Sequence, residues 1–175
     1  MKPILVGLNN PYSADPVHAL APYPERSAGH RLWKMLGDVD SSRLSALAFN
    51  ASAYSHIYRD YFDRRNLFGA RVPAAPALRE VAAEKLVRGV PRGATVILLG
   101  AEVRACVGNV LSDKIKPILI HPQVIDGVTW RCLPHPSGRS TLYNDPVVRM
   151  LAGMVLADCL TKETQGCHAA ESARR

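Results

Sequence analysis

The chain has 175 residues, of which 47% are hydrophobic and 21% charged, with a formal net charge of +7 and a pI of about 9.5. That length suits one sizeable domain around one core, and the composition is ordinary for a soluble globular protein. No apolar run reaches the roughly 18 residues of a membrane span, and the basic surplus favours a polyanionic partner without requiring one.

The opening MKPILVGL lacks the long apolar core and small-residue cleavage site of a secretory leader, so a cytoplasmic protein is expected. The cysteines are Cys106, Cys132, Cys159 and Cys167. None are spaced as C-x-x-C, and no histidine stands at finger spacing from a cysteine pair. Reduced, mostly buried thiols are expected rather than a metal site or an iron–sulfur cluster.

Pro3 to Gly7 is a short apolar run ending in glycine, which reads as a buried strand leading into a loop. Asn9 to Arg26 is rich in Pro, Asn, Asp and Ser and reads as a long loop, a length that usually carries function. Ser27 to Leu36 has helical spacing, with Leu32, Met35 and Leu36 on one face and Gly37 as a terminator. Ser41 to Arg64 is ambiguous: Arg43 to Leu47 has the pattern of a short helix, and Tyr54 to Phe62 mixes aromatic and charged residues. Arg65 to Phe68 fits a strand. Pro76 to Val87 predicts an amphipathic helix with Leu78, Val81, Ala82 and Leu86 on one side. Thr95 to Leu99 is β-branched, apolar and closed by Gly100, and so predicts a strand. Glu102 to Val110 predicts a helix, and Pro117 to His121 and Val128 to Pro134 predict strands. Asp145 can cap a last helix from Pro146 to about Lys162, with Val147, Leu151 and Val155 at helical spacing. The domain then spans 1–164, followed by a polar, frayed tail over 165–175.

Strands alternating with helices predict an α/β fold with a mainly parallel sheet. In such sheets ligands bind beyond the carboxyl ends of the strands. Three polar segments fall there: the loop after Gly7, the region of Asn66, and HPSGRS over 135–140. No internal repeat or P-loop is present, and GLNN is not a dinucleotide-binding glycine signature.

Three separated stretches resemble the uracil-DNA glycosylase superfamily. "ILVGLNNPYS" resembles its first motif, a strand followed by G-x-D-P-Y or G-x-N-P-G. "RRNLFGARVPAAPALREVAAEKL" resembles the segment where an Asn at a strand end precedes a Pro-rich loop and an acidic helix. "LPHPSGRS" is similar to its second motif, H-P-S-P-x or N-P-S-G-x. "SAGHRLWKML" and "ATVILLGAEVRACVG" resemble the helix after the first motif and the third strand with its turn. Order and spacing match along nearly the whole chain. No single branch fits throughout. "RLWKML" with PSG resembles the mismatch-specific branch, and the His of HPSG the classical and single-strand-selective branches. The Pro-rich segment resembles the thermostable branch, whose cluster-binding cysteines are missing.

The resemblance implies a three-layer α/β/α fold with a four-stranded, mainly parallel sheet. It also implies a monofunctional DNA glycosylase that leaves an abasic site, with DNA as partner, no cofactor, no metal and no membrane, acting as a cytoplasmic or nucleoid-associated monomer. Uracil is the expected base. His135 would donate an N–H to the carbonyl oxygen of the leaving base. Asn9 or Asn10 would position the attacking water; Asn9 fits G-x-N counted from Gly7, and Asn10 fits N-P-Y counted from Pro11. Asp15 is the alternative water activator within the loop. Asn66 would read the base edge through its paired donor and acceptor. Tyr23 or Leu20 would stack on the flipped base, and Tyr12 aligns with a pocket-wall tyrosine. Ser137 and Ser140 would bond DNA phosphates, Gly138 would let the backbone come close, and Arg139 would fill the gap left by the extruded nucleotide. Arg64, Arg65, Arg71 and Arg104 are either phosphate-attracting or plain solvated surface. Each of these residues also has a structural alternative, as a turn, packing or solvated group. Two other readings stay open: a glycosylase tuned to another modified or damaged base, and a catalytically inactive nucleic-acid-binding module on the same fold.

Overall fold

The computed structural model describes residues 1–10, 13, 15, 18–21, 25–39, 62–112, 115, 121–137 and 141–172, with the backbone alone over 160–172. The strands are β1 (Ile4–Gly7), β2 (Asp63–Asn66), β3 (Thr95–Leu99), β4 (Gln123–Ile125) and β5 (Val128–Leu133). The helices are α1 (Ala28–Val39), α2 (Pro76–Arg88), α3 (Ala101–Val110) and α4 (Pro146–Ser172), with a 3-10 turn over Thr141–Asn144.

The sheet order is β2-β1-β3-β5-β4. β2, β1, β3 and β5 are parallel, with Ile4 opposite both Asp63 and Val96, and Val96 opposite Trp130. β4 runs antiparallel to β5 at the edge. Alternate residues feed two cores. Leu5, Ile97, Leu99 and Leu133 pack with α1 and α4, while Ile4, Val6, Val96, Leu98 and Trp130 pack with α2 and α3. β1 and β3 are thus buried on both faces, which explains their unbroken apolar sequence.

The sheet has five strands where four were expected. The missed one comes from "VIDGVTW". Asp126 (φ +52°) and Gly127 (φ +77°) both take left-handed backbone, the pair of conformations a two-residue hairpin turn requires. The Asp-Gly pair was the available signal. Of the expected strand at 117–121, residues 117–120 lie outside the described residues, and His121 is not in a strand. The segments 43–47 and 54–61 also lie outside.

Other expectations shift in register. α1 continues through Gly37 to Val39, because Met35 and Leu36 are buried on the side that meets α4 and packing outweighs one glycine. β2 is Asp63–Asn66 rather than Arg65 to Phe68. As an edge strand it needs little apolar content, and its charged residues protect an open edge. α3 starts one residue early at Ala101, β5 stops one residue early at Leu133, and α2 gains Arg88. The inner face of α2 is also corrected. Leu78 and Val81 are 58% and 61% exposed, whereas Ala83 and Leu86 are buried and Ala82 and Val87 half-buried. Apolar residues lie on nearly every side of α2, so their spacing selects no single face.

α4 begins as its sequence implies: the Asp145 carboxylate accepts the Val147 N–H at 2.8 Å, with Pro146 at the first helical position. It runs past Lys162 to Ser172, and so across the expected boundary at residue 164. Val155 is buried, Leu151 half-buried and Val147 57% exposed, because the inward face of α4 runs through Val148, Ala152, Val155, Leu156 and Cys159. Asp145→Ala is expected to cost about 0.5–2 kcal/mol by thermal or denaturant unfolding. An unchanged stability would show that the cap does not hold this helix.

Candidate active site at the carboxyl edge of the sheet

Four parallel strands place four loop starts on one edge: Gly7, Asn66, Gly100 and Pro134. β1 and β5 flank β3, so their ends stand about 10 Å apart.

On one side, the chain after β1 and the chain after β2 stay paired beyond the strands. Leu67 N–H donates to the Gly7 carbonyl at 2.8 Å, and Phe68 N–H to the Leu8 carbonyl at 2.9 Å. Asn9 adds a further rung, its Nδ2 donating to the Ala70 carbonyl at 3.0 Å. This bond fixes which way the amide points and leaves Oδ1 as the acceptor end. Asn10 instead braces its own loop, Nδ2 donating to the His18 carbonyl at 3.2 Å. Asn66 lies against Gly7: a Cβ on Gly7 would stand 2.9 Å from Asn66 Oδ1 and 3.1 Å from Leu20 Cδ2. Glycine is needed here for close approach. Leu20 itself has φ +48°, an uncommon conformation for a residue with a bulky side chain. Its carbonyl covers the first turn of α1, where a Cβ on Gly29 would meet Leu20 O at 2.1 Å. Ser27 joins the same loop to the helix, donating from Oγ to the Ala21 carbonyl at 3.0 Å and accepting the His30 N–H at 3.1 Å.

On the other side stands His135. The backbone N–H of Ser137 donates to His135 Nδ1 at 3.2 Å. An accepting Nδ1 carries no proton, so the neutral ring keeps its hydrogen on Nε2. Burial also pushes the imidazole below its usual pKa, which favours that neutral form. Gly100, at φ +102°, lies beside the ring; a Cβ there would be 3.0 Å from His135 Cβ. The Gly100 N–H donates to the Leu133 carbonyl at 2.8 Å, tying the end of β3 to the approach to His135. Tyr143 holds the next carbonyl, its hydroxyl donating to Pro134 O at 2.8 Å, and burial keeps its phenol protonated.

The fold therefore brings Asn9, Asn10, Asn66, Leu20 and His135 to one edge. Tyr12, Tyr23, Gly138, Arg139 and Ser140 lie outside the described residues. Ser137 is present, but its N–H is committed to His135, leaving the hydroxyl for any external acceptor. Asp15 is exposed within the loop, its N–H bonded to Ser13 Oγ at 3.1 Å. Two of the arginines have structural duties. Arg65 donates to Asp63 at 2.6 and 2.9 Å and to the Gly89 carbonyl at 3.3 Å, and Arg104 to the Ile115 carbonyl at 2.9 Å. Arg71 lines a groove of about 520 Å³ that also runs past Asn66, Phe68 and Lys85.

Gly100 and Tyr143 were not anticipated as site residues. Gly100 closes the β3 run, and a glycine between a strand and a helix was the signal for close backbone approach. Tyr143 had no sequence signal. Cys132 and Cys159 are buried and Cys106 is half-buried. Burial pushes the Cys132 thiol up to about 11, which makes it a poor nucleophile. Among the described residues, no three His, Cys, Asp or Glu side chains gather as a metal would require, and no helix is long and apolar enough to cross a membrane. In comparisons with known proteins, the chain matches no protein-family model and no curated protein.

Proposed function

We propose that the protein is a monofunctional DNA glycosylase of the uracil-DNA glycosylase type, which hydrolyses the N-glycosidic bond of a flipped uracil or related pyrimidine and leaves an abasic site. The observation that carries this reading is the state of His135: a neutral ring with its hydrogen held on Nε2, at the strand edge shared by Asn9 and Asn66.

Cleavage of this bond moves the C1′–N1 electron pair onto the base, and negative charge collects on its O2. A fixed N–H donor stabilises that charge most when it need not reorganise as the charge grows. His135 Nε2–H is such a donor, and its protonation state needs no adjustment before the reaction. The sugar becomes oxocarbenium-like, and water adds to C1′. Asn9 Oδ1 can accept one hydrogen bond from that water, with the amide held by Ala70. An amide cannot take the proton as a carboxylate would, so water attacks late, on an already cationic sugar, and the released proton passes to solvent or to the departing base. Slow turnover follows. Asn66 presents a donor and an acceptor that match the uracil O4 and N3–H edge.

Single-turnover assays on single- and double-stranded oligonucleotides bearing uracil, and on a panel of modified pyrimidines, test this reading. The expected result is a strand that breaks only after alkali, as an abasic site does. Binding without an abasic product from any substrate would overturn it in favour of an inactive binding module. Release of another base but not uracil would leave the chemistry and correct the substrate.

A further inference from the structure

Beside the His135 loop lies a second feature that the proposed chemistry does not use. A groove of about 210 Å³ is lined by Arg26, His30, Arg31, Lys34 and Arg149, with Tyr143 in its wall. Helical spacing explains the cluster. His30, Arg31 and Lys34 fall on the outer side of α1, opposite buried Leu32, Trp33 and Leu36. Arg26 enters from the turn before the helix at φ +69°, and its carbonyl accepts the Arg31 Nε–H at 3.1 Å. Arg149 reaches across from α4 and is paired with Asp38. Among the described residues no carboxylate pairs with Arg26, Arg31 or Lys34, so three cations share one concave surface. Such crowding costs repulsion unless an anion is drawn in.

Tyr143 places the groove relative to the site. The same side chain that lines it donates to Pro134 O, one residue before His135. A strand whose nucleotide is turned into the site would therefore continue past Tyr143 into the groove.

We propose that this groove is a binding site for the phosphodiester backbone of nucleic acid, holding phosphates that flank the extruded nucleotide. The assignment rests on the glycosylase reading for its direction but not for its chemistry. Planar guanidiniums from Arg26 and Arg31 suit bidentate phosphate contacts, and Lys34 adds a point charge.

The test is fluorescence anisotropy with a duplex oligonucleotide that holds no excisable base, titrated at several salt concentrations. Each lost phosphate contact lowers the slope of log affinity against log salt by about 0.9. Arg31→Gln with Lys34→Gln is expected to lower the slope by roughly 1.8 on that basis, while Arg31→Lys with Lys34→Arg restores most of it. Both side chains face outward, and an unchanged melting temperature shows that the variants fold. An unchanged slope would overturn the proposal, as would an equal loss of affinity for polyglutamate of matched charge, which would mark a general anion patch. Excision assays separate the two readings: a slope change with no excision leaves the groove standing, and excision with no slope change leaves the enzyme standing.

Discussion

His135→Ala is expected to slow base excision by about 10²–10³-fold, the cost of removing one preorganised donor from a developing anion. DNA affinity should change little, because the side chain meets the base late and phosphates supply most of the binding. Single-turnover rates beside anisotropy on the same oligonucleotide give the comparison. Equal loss of both would mean that His135 only supports its loop. The burial of the ring also has a thermodynamic signature. The imidazole keeps its usual pKa of 6.5 in the unfolded chain and has a lower one in the folded protein. Unfolded chains therefore take up the proton first as pH falls. The stability concerned is fully present above pH 6.5 and is lost as pH drops towards the folded value. His135→Gln should flatten that part of the melting-temperature profile, and a profile of unchanged slope would count against a buried neutral ring.

Gly153→Ala is expected to produce a large loss of stability for so small a substitution. A Cβ at this position would stand 2.3 Å from the Met35 carbonyl oxygen and 2.6 Å from Val39 Cγ2. The first of these is backbone and cannot rotate away, so α1 and α4 must separate along a line that includes Leu32, Leu36 and Leu156. Overpacking of this kind costs about 1–3 kcal/mol. For a chain of this length that lowers the melting temperature by roughly 2–12 °C. Single-turnover excision at saturating enzyme, measured well below the transition, should be retained, since Asn9, Asn66 and His135 stand at the sheet edge, whereas the groove between Arg31 and Arg149 spans that seam. An unchanged melting temperature would show that the two helices are less tightly joined than their contact implies.

The chain shows how unevenly a fold is written into its sequence. β3 and β1 were legible because two-sided burial demands unbroken apolar runs. The start of α4 was legible because Asp145 and Pro146 act locally. The start of β2 is hidden because an edge strand tolerates DRRN, and nothing in those residues names β1 as the partner. The inner face of α2 is hidden because Leu78 and Val81 look like core until the neighbouring layer is known. The site divides in the same way. His135, Asn9 and Asn66 stand out in the sequence through the motifs that resemble the glycosylase superfamily, since a lone His or Asn reads equally well as a turn residue. Gly100 and Tyr143 act through shape and a single carbonyl contact, which only the assembled fold reveals.

The place of β1 in the sheet also bears on how the chain is made. Ile4, Leu5 and Val6 leave the ribosome well before their neighbours in the sheet, which belong to Asp63–Asn66 and Thr95–Leu99. At about 5–20 residues per second, roughly 5–20 s pass before Leu99 is synthesised. Through that interval the strand that ends up completely buried has at most the edge strand β2 to pair with. Neither Asn9 nor Asn66 can take up its final setting until β1 meets β2, since Asn9 bonds to Ala70 and Asn66 lies against Gly7. The edge that carries the proposed site is therefore assembled late, around a strand translated long before its partners.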